Sequence, residues 1–264
     1  MQITDQTGQI LNIKTIPKRI ISLVPSQTEL LFDLGLENSI IGITKFCIHP
    51  KDSIKSKQIV GGTKNIKIDK ILALQPDIIL CNKEENTKEI AEACKHICPV
   101  HISDIFNIED AKKMIKDYGQ LFNKGKESRA IIKKIDLRLN DFQLYIKEKP
   151  VLKVAYFIWR NPWMAAGNNT FINYLLELNQ FENIYSSKER YPEIDIKNLS
   201  KEKSLEVILL SSEPYPFKNK HVNELESLTQ NLKIVFVNGE LFSWYGTRLL
   251  KSFDYFKKLR ESIE

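Results

Sequence analysis

Arg19-Ile20-Ile21-Ser22-Leu23-Val24-Pro25-Ser26-Gln27-Thr28-Glu29-Leu30-Leu31-Phe32-Asp33-Leu34-Gly35 decides the fold class. The first six residues read as a strand that stops at Pro25. Ser26 and Glu29 fit a Ser-x-x-Glu capping box in front of Leu30 to Leu34, and Gly35 closes the helix. A strand feeding directly into a helix is the unit of a parallel α/β sheet. The pattern recurs. Further strands read at Ile40 to Thr44, Asp77 to Cys81 and Val100 to Ile102. A helix at Ile68 to Leu74 is stopped by Gln75-Pro76.

The second half repeats the scheme. Strands read at Lys153 to Ile158, Glu206 to Leu210 and Lys233 to Val237, with helices at Thr170 to Leu178, Val222 to Leu228 and Thr247 to Leu259. Ile68-Asp69-Lys70-Ile71 before Asp77 is echoed by Ile196-Lys197-Asn198-Leu199 before Glu206, a faint internal repeat. Between the halves, Asn107-Ile108-Glu109-Asp110 opens one helix. The stretch from Lys126 to Lys149 then lacks Gly and Pro. Ile131, Ile135, Leu139, Phe142 and Ile146 make a helical stripe there, while Ile132 and Leu144 lie off it and point to a second buried face. About 24 residues give a rod of roughly 36 Å. The reading is α/β: an N-terminal lobe over 1–106, a helical linker over 107–149 and a C-terminal lobe over 150–264.

Composition narrows the class. The 264 residues carry 39 Lys+Arg against 33 Asp+Glu, a net charge of +6, with 42% hydrophobic and 27% charged residues. These values exclude a disordered chain, a collagen and a disulfide-dense miniprotein. The lysines are scattered, without a basic arm, so nucleic-acid binding is not expected. The apolar runs are too short to span a bilayer, so no membrane insertion is expected. The first residues show neither a basic n-region nor an apolar core of a signal peptide, which gives a cytoplasmic expectation, with a periplasmic one if a leader was removed. Cys47, Cys81, Cys94 and Cys98 form no C-x-x-C pair and read as free thiols.

Ligands of open α/β sheets bind outside the carboxyl ends of the strands. The loops there hold Pro25, Ser26 and Gln27, then Phe46 and His49, then Thr63, Lys64 and Asn82. In the second half they hold Trp159, Asn161, Trp163 and Met164, then Glu240, Phe242, Trp244, Tyr245 and Arg248. All three tryptophans lie in these loops, where flat apolar area suits a broad ligand. No dinucleotide fingerprint, P-loop, nucleophile elbow or zinc-protease motif occurs. Cys47 and His49, two residues apart, could share a soft metal, with Glu84 or Glu85 joining from the neighbouring loop. Cys94, His96, Cys98 and His101 read instead as core packing.

These stretches together resemble the helical-backbone solute-binding proteins of cobalamin and iron–siderophore ABC uptake systems. The resemblance rests on Pro17 to Leu30, on Gly35-Leu36 with Ile40 to Thr44, and on Leu72 to Leu80. It implies two Rossmann-like lobes with parallel sheets joined by one long backbone helix, the class III type. It also implies a monomer that binds and does not catalyse, holding a cobalamin, haem or ferric siderophore in the cleft between lobes. The loop residues named above would line that cleft, with the tryptophans stacking on the ligand and Arg248 and Lys64 pairing with its carboxylates. Thr63 and Asn82 stand where cobalamin binders carry aromatics. The family docks on a permease through an acidic residue on each lobe. Those positions look like Asp69 and, with reversed charge, Lys197. The alternative is a cytoplasmic metal-handling or chelate-modifying enzyme working through Cys47, His49, Glu84 and Glu85.

Overall fold

The apolar runs of the first half become one parallel sheet. After a hairpin of β1 (Gln2–Thr4) and β2 (Ile10–Asn12) come β3 (Ile20–Ser22), β4 (Ile40–Ile43), β5 (Gln58–Ile59), β6 (Ile78–Asn82) and β7 (Val100–Ser103). Their order across the sheet is β5-β4-β3-β6-β7. Ile20, Ile21 and Ser22 pair with Ile78, Ile79 and Leu80. All five residues of β6 are buried, as a strand covered on both faces requires. The computed structural model describes residues 1–229 and 232–264 and divides into two compact units. Unit 1 is Met1–Asp136 with Trp244–Leu250, and unit 2 is Leu137–Ser243 with Lys251–Glu264.

Helices α1 (Pro25–Asp33), α2 (Ile68–Ala73), α3 (Lys88–Lys95) and α4 (Ile108–Leu121) belong to unit 1. Asn107 caps α4 by accepting the Asp110 N–H at 2.9 Å. The capping box expected at α1 does not form. Its cap is Val24, with Pro25 in the first turn, where a missing N–H costs nothing. Glu29 is drawn instead to a partner far along the chain. One core cluster gathers Ile21, Leu23, Ile79, Cys81, Cys94 and Val100.

The long helix is α5 (Gly125–Ile146), which begins in unit 1 and ends in unit 2. Ile131, Ile135, Phe142 and Ile146 of the expected stripe are buried, and Phe142 packs on Phe253 and Phe256 with ring centroids 5.8 and 5.9 Å away. The second buried face read from Leu144 is absent, since Leu144 is 75% exposed. The units also divide the chain differently from the three segments read from sequence. The helical stretch is split between them, and Trp244–Leu250 returns to unit 1.

Unit 2 holds β8 (Leu152–Trp159), β9 (Met164–Ala165), β10 (Phe181–Asn183), β11 (Val207–Ser211) and β12 (Lys233–Val237). The parallel order is β10-β8-β11-β12, with β9 antiparallel on β8. Its helices are α6 (Phe171–Leu178), α7 (Asn219–Glu226) and α8 (Gly239–Ser243), and α9 (Leu249–Ile263) ends the chain. The helix expected over Val222–Leu228 thus starts three residues earlier, and that expected from Thr247 starts at Leu249 after a tight turn, Gly246–Arg248. Trp159, expected in a loop, is the last strand residue of β8. The faint repeat has a structural counterpart: α2 leads towards β6 as the 3-10 turn Ile196–Lys201 leads towards β11. Among the described residues, no helix is long and apolar enough to cross a membrane.

Winding order places the candidate sites. In unit 1 the chain winds outward from β3 through β4 and β5, then restarts on the other side with β6 and β7. In unit 2 the same reversal separates β8 from β11. Loops diverge above such a switch point and leave a crevice at the carboxyl ends of the strands.

Candidate functional site

Beneath the switch-point loops of unit 1 lies a bed of satisfied polar groups. Gln27, on α1, is fully buried. Its amide donates to Ser103 Oγ at 2.7 Å and to Tyr245 OH at 3.3 Å, and its Oε1 accepts from Tyr118 OH at 2.7 Å. Asn82, at the end of β6, donates to the Ser103 carbonyl and accepts the N–H groups of Glu84 and Glu85 at 2.9 and 3.0 Å. The Thr63 carbonyl accepts from Asn86 at 3.0 Å. A ligand would have to displace these internal bonds, so Gln27 and Asn82, expected as ligand contacts, shape the loops from beneath. Burial pushes the Tyr245 phenol well up, which keeps it a neutral hydrogen-bonding group.

The returning segment closes this face. Arg248 Nε donates to Glu29 Oε2 at 2.8 Å, and both side chains are buried. The guanidinium also lies 5.0 Å from the Trp244 ring centroid. Thr247 hydrogen-bonds Asp33 on the same helix. The carboxylate that Arg248 was expected to find on a ligand is thus supplied by the chain itself. Trp244 is buried beside His49, edge-on with centroids 5.6 Å apart. In the loops after β3 and β4, Phe46 is 49% exposed, Ile48 is exposed, and Pro25 and His49 are half-buried, while Ser26 is buried. Lys64 is exposed and reaches back to the Glu84 carbonyl. Lys45 lies 5.0 Å over the Phe46 ring.

The metal expectation at Cys47 and His49 is not supported. Cys47 Sγ sits 3.2 Å from Thr28 Oγ1 and 3.3 Å from Thr44 Oγ1. Burial pushes its thiol pKa up, away from the thiolate a metal needs. No group of three or more His, Cys, Asp or Glu side chains able to hold a metal occurs among the described residues.

Unit 2 presents a different surface at its switch point. Trp159, at the end of β8, is 39% exposed and meets Tyr215, from the loop after β11, edge-on at 5.6 Å. Neighbouring Arg160 is fixed by two bonds to Glu224, at 2.9 and 3.0 Å. Asn161 is exposed in left-handed backbone, with φ of 71°, and Met164 and Glu240 are half-buried. Two expected contacts are core residues. Trp163 is buried, stacks on Phe217 at 5.3 Å and packs edge-on against Phe157 at 5.2 Å. Phe242 is fully buried between Tyr156 and Phe256, at 5.2 and 4.8 Å. Tyr215, on the loop Glu213-Pro214-Tyr215-Pro216-Phe217, was not among the expected contacts.

His221 anchors that loop. Its Nδ1 accepts the Lys218 N–H at 2.9 Å, and its Nε2 lies 3.2 Å from Tyr215 OH. Burial first, then the charges of Lys220 and Arg160, hold its pKa below the usual imidazole range.

Two tests follow from this geometry. Glu29→Ala should destabilise the protein by about 3–5 kcal/mol in urea unfolding, because Arg248 keeps a buried charge. The double variant Glu29→Leu, Arg248→Met should regain most of that loss. For His221, the unfolded chain takes up a proton more readily than the folded one. Stability should therefore be lost as the pH drops below the ordinary imidazole value of about 6.5. Urea unfolding on either side of that value should show the loss, and His221→Gln should reduce it.

Comparison with known proteins adds to this geometry. The family profile described as periplasmic binding protein matches residues 20–232. An uncharacterized ABC transporter substrate-binding lipoprotein of Bacillus subtilis, YvrC, is 29% identical over 187 residues, which cover 67% of this chain and 58% of the lipoprotein. The chain thus matches less than two thirds of that relative's length. The vitamin B12-binding protein of Pectobacterium atrosepticum is 23% identical over 243 residues, covering 89% of this chain and 85% of that protein. The periplasmic vitamin B12 binding protein BtuF of Vibrio cholerae has a TM-score of 0.80 at 19% identity, covering 94% of this chain and 98% of its own. The periplasmic heme-binding protein BhuT, solved with two hemes, has a TM-score of 0.81 at 17% identity, covering 94% and 99%. At these identities the structures speak for the fold, the helical-backbone binding-protein type. The matched proteins are substrate-binding proteins, which leaves the enzyme alternative without support. Where their names give a location it is periplasmic or that of a lipoprotein, in contrast to the cytoplasmic expectation.

Proposed function

The chain belongs to the periplasmic binding protein family, and from that premise we propose that it captures a metal chelate or tetrapyrrole-like compound for an ABC permease. The ligand would be of the cobalamin, haem or ferric siderophore class, in line with the names of matched proteins that bind vitamin B12, heme and a ferric siderophore. One observation carries the reading. At the switch-point loops Phe46 and Trp159 are exposed rings and Tyr215 is a half-buried one, with Lys45 and Lys64 exposed, while Gln27, Asn82 and His221 are bonded internally. Trp159 and Tyr215 offer flat apolar area in unit 2, and Phe46 does so in unit 1. Lys45 and Lys64 supply exposed cations that suit carboxylates at a ligand's edge. The pattern favours a large, partly apolar anion over a sugar or a small amino acid. The periplasmic and lipoprotein relatives favour a working place outside the cytoplasmic membrane.

The ligand class is tested by titrating the protein with cyanocobalamin, haemin and a ferric hydroxamate, following tryptophan fluorescence and equilibrium dialysis. One of the three should bind saturably. Trp159→Ala should weaken that binding about tenfold, roughly 1.4 kcal/mol, without lowering stability. No binding by any of the three would reject the ligand class, and unchanged affinity in Trp159→Ala would reject the site.

The permease would meet α2 and the turn Ile196–Lys201, where Asp69 and Lys197 are exposed. With the cognate permease in membrane vesicles, Asp69→Lys should cut ligand-stimulated ATP hydrolysis at least fivefold at unchanged ligand affinity. Lys197→Glu should raise it if that position faces a basic surface. An Asp69→Lys protein that stimulates normally would overturn the docking assignment.

A further inference from the structure

Unit 2 carries a hollow apart from the Trp159 and Tyr215 pair. It measures about 500 Å³ and is lined by Phe217, Lys218, Asn219, Lys220 and Phe236. The strand register explains where it lies. β12 is the edge strand of its sheet, and Phe236 pairs with Leu210 as Ile234 pairs with Ile208. Residues two apart on a strand share a face. Ile234 and Phe236 therefore lie on the face that packs with Phe217 and Leu225 in one core cluster. Helix α7, which covers that face, has only eight residues. Phe236 is left 45% exposed at the sheet edge.

The hollow has an apolar floor and a cationic rim. Phe217 is fixed within a layer of rings: it stacks on Trp163 at 5.3 Å and meets Tyr215 edge-on at 5.0 Å. Lys218 and Lys220 are exposed at the rim. Among the described residues no ion pair ties either ammonium group to a carboxylate. Glu224, farther along α7, is already held by two bonds from Arg160.

We propose that this hollow is an additional binding site of unit 2, and that it takes a planar aromatic carboxylate. The ring system rests against Phe217 and Phe236, and the carboxylate meets Lys218 and Lys220. A small hydrated anion such as phosphate gains nothing from the phenyl floor, and a neutral arene leaves the two cations unused. The volume lies within the range of small-molecule sites and admits two fused rings. The fixed ring layer favours a flat ligand over a flexible chain, whose rotamers must be frozen on binding. The inference stands apart from the ligand class proposed above, because Trp159 and Tyr215 do not line the hollow.

The test is equilibrium dialysis of the protein with naphthoate, beside naphthalenemethanol as a neutral analogue and hexanoate as an aliphatic one. Naphthoate should bind saturably with a Kd on the order of 0.3 mM, more tightly than either analogue. Lys218→Gln combined with Lys220→Gln should weaken it about fivefold and remove its salt dependence. Phe236→Ala should weaken it about tenfold, while Trp159→Ala should leave naphthoate binding as it was. These side chains are exposed, and an unchanged Tm in each variant shows that folding is intact. Absence of saturation below about 5 mM would overturn the proposal. So would equal affinity for the neutral analogue, or tighter binding of hexanoate. Loss of binding in Trp159→Ala with Phe236→Ala unaffected would overturn it as well, by moving naphthoate to the switch-point face.

Discussion

Unit 1 depends on one buried ion pair. Glu29 and Arg248 stand 219 residues apart in sequence and 2.8 Å apart in space. A carboxylate and a guanidinium leave water only when each gains the other with good geometry, and either one alone would be costly. The pair therefore fixes where the segment Trp244–Leu250 must lie. Thr247 on Asp33 and Tyr245 on Gln27 confirm the same register along α1. Trp244 is set beside His49 as a result. The candidate face of this unit is thus assembled from both ends of the chain.

The loops of both units separate two kinds of chemistry. Below the surface, Gln27, Asn82, Asn86 and His221 spend their hydrogen-bonding capacity on backbone and neighbouring side chains. Above it, Phe46, Trp159 and Tyr215 present rings. In each unit taken by itself, rings held over bonded polar groups have little side-chain entropy left to lose.

The α/β scheme was legible because each strand is a continuous apolar run and each helix has its own period. Ile78 to Cys81 can hardly be anything but a buried strand. The loops were less legible, because loop residues carry no period that tells inward from outward. Trp163 and Phe242 sit in loops or beside them, yet both turn into the core of unit 2. Glu29 satisfied a local capping rule in sequence and was claimed by Arg248 in space. Asn82 is polar at a strand end, which suits a ligand contact and an Asx turn equally. Only tertiary structure distinguishes such cases.

The return of Trp244–Leu250 to unit 1 also bears on the chain's behaviour while it is being made. Synthesis is vectorial, and domains generally fold as they emerge. Here the first sheet can be translated in full, yet α1 still lacks the arginine that neutralises Glu29 until position 248 appears. Until then the amino-terminal unit carries a charge it cannot bury and an uncovered helix face. Its completion is therefore a late event, timed by translation of the second unit.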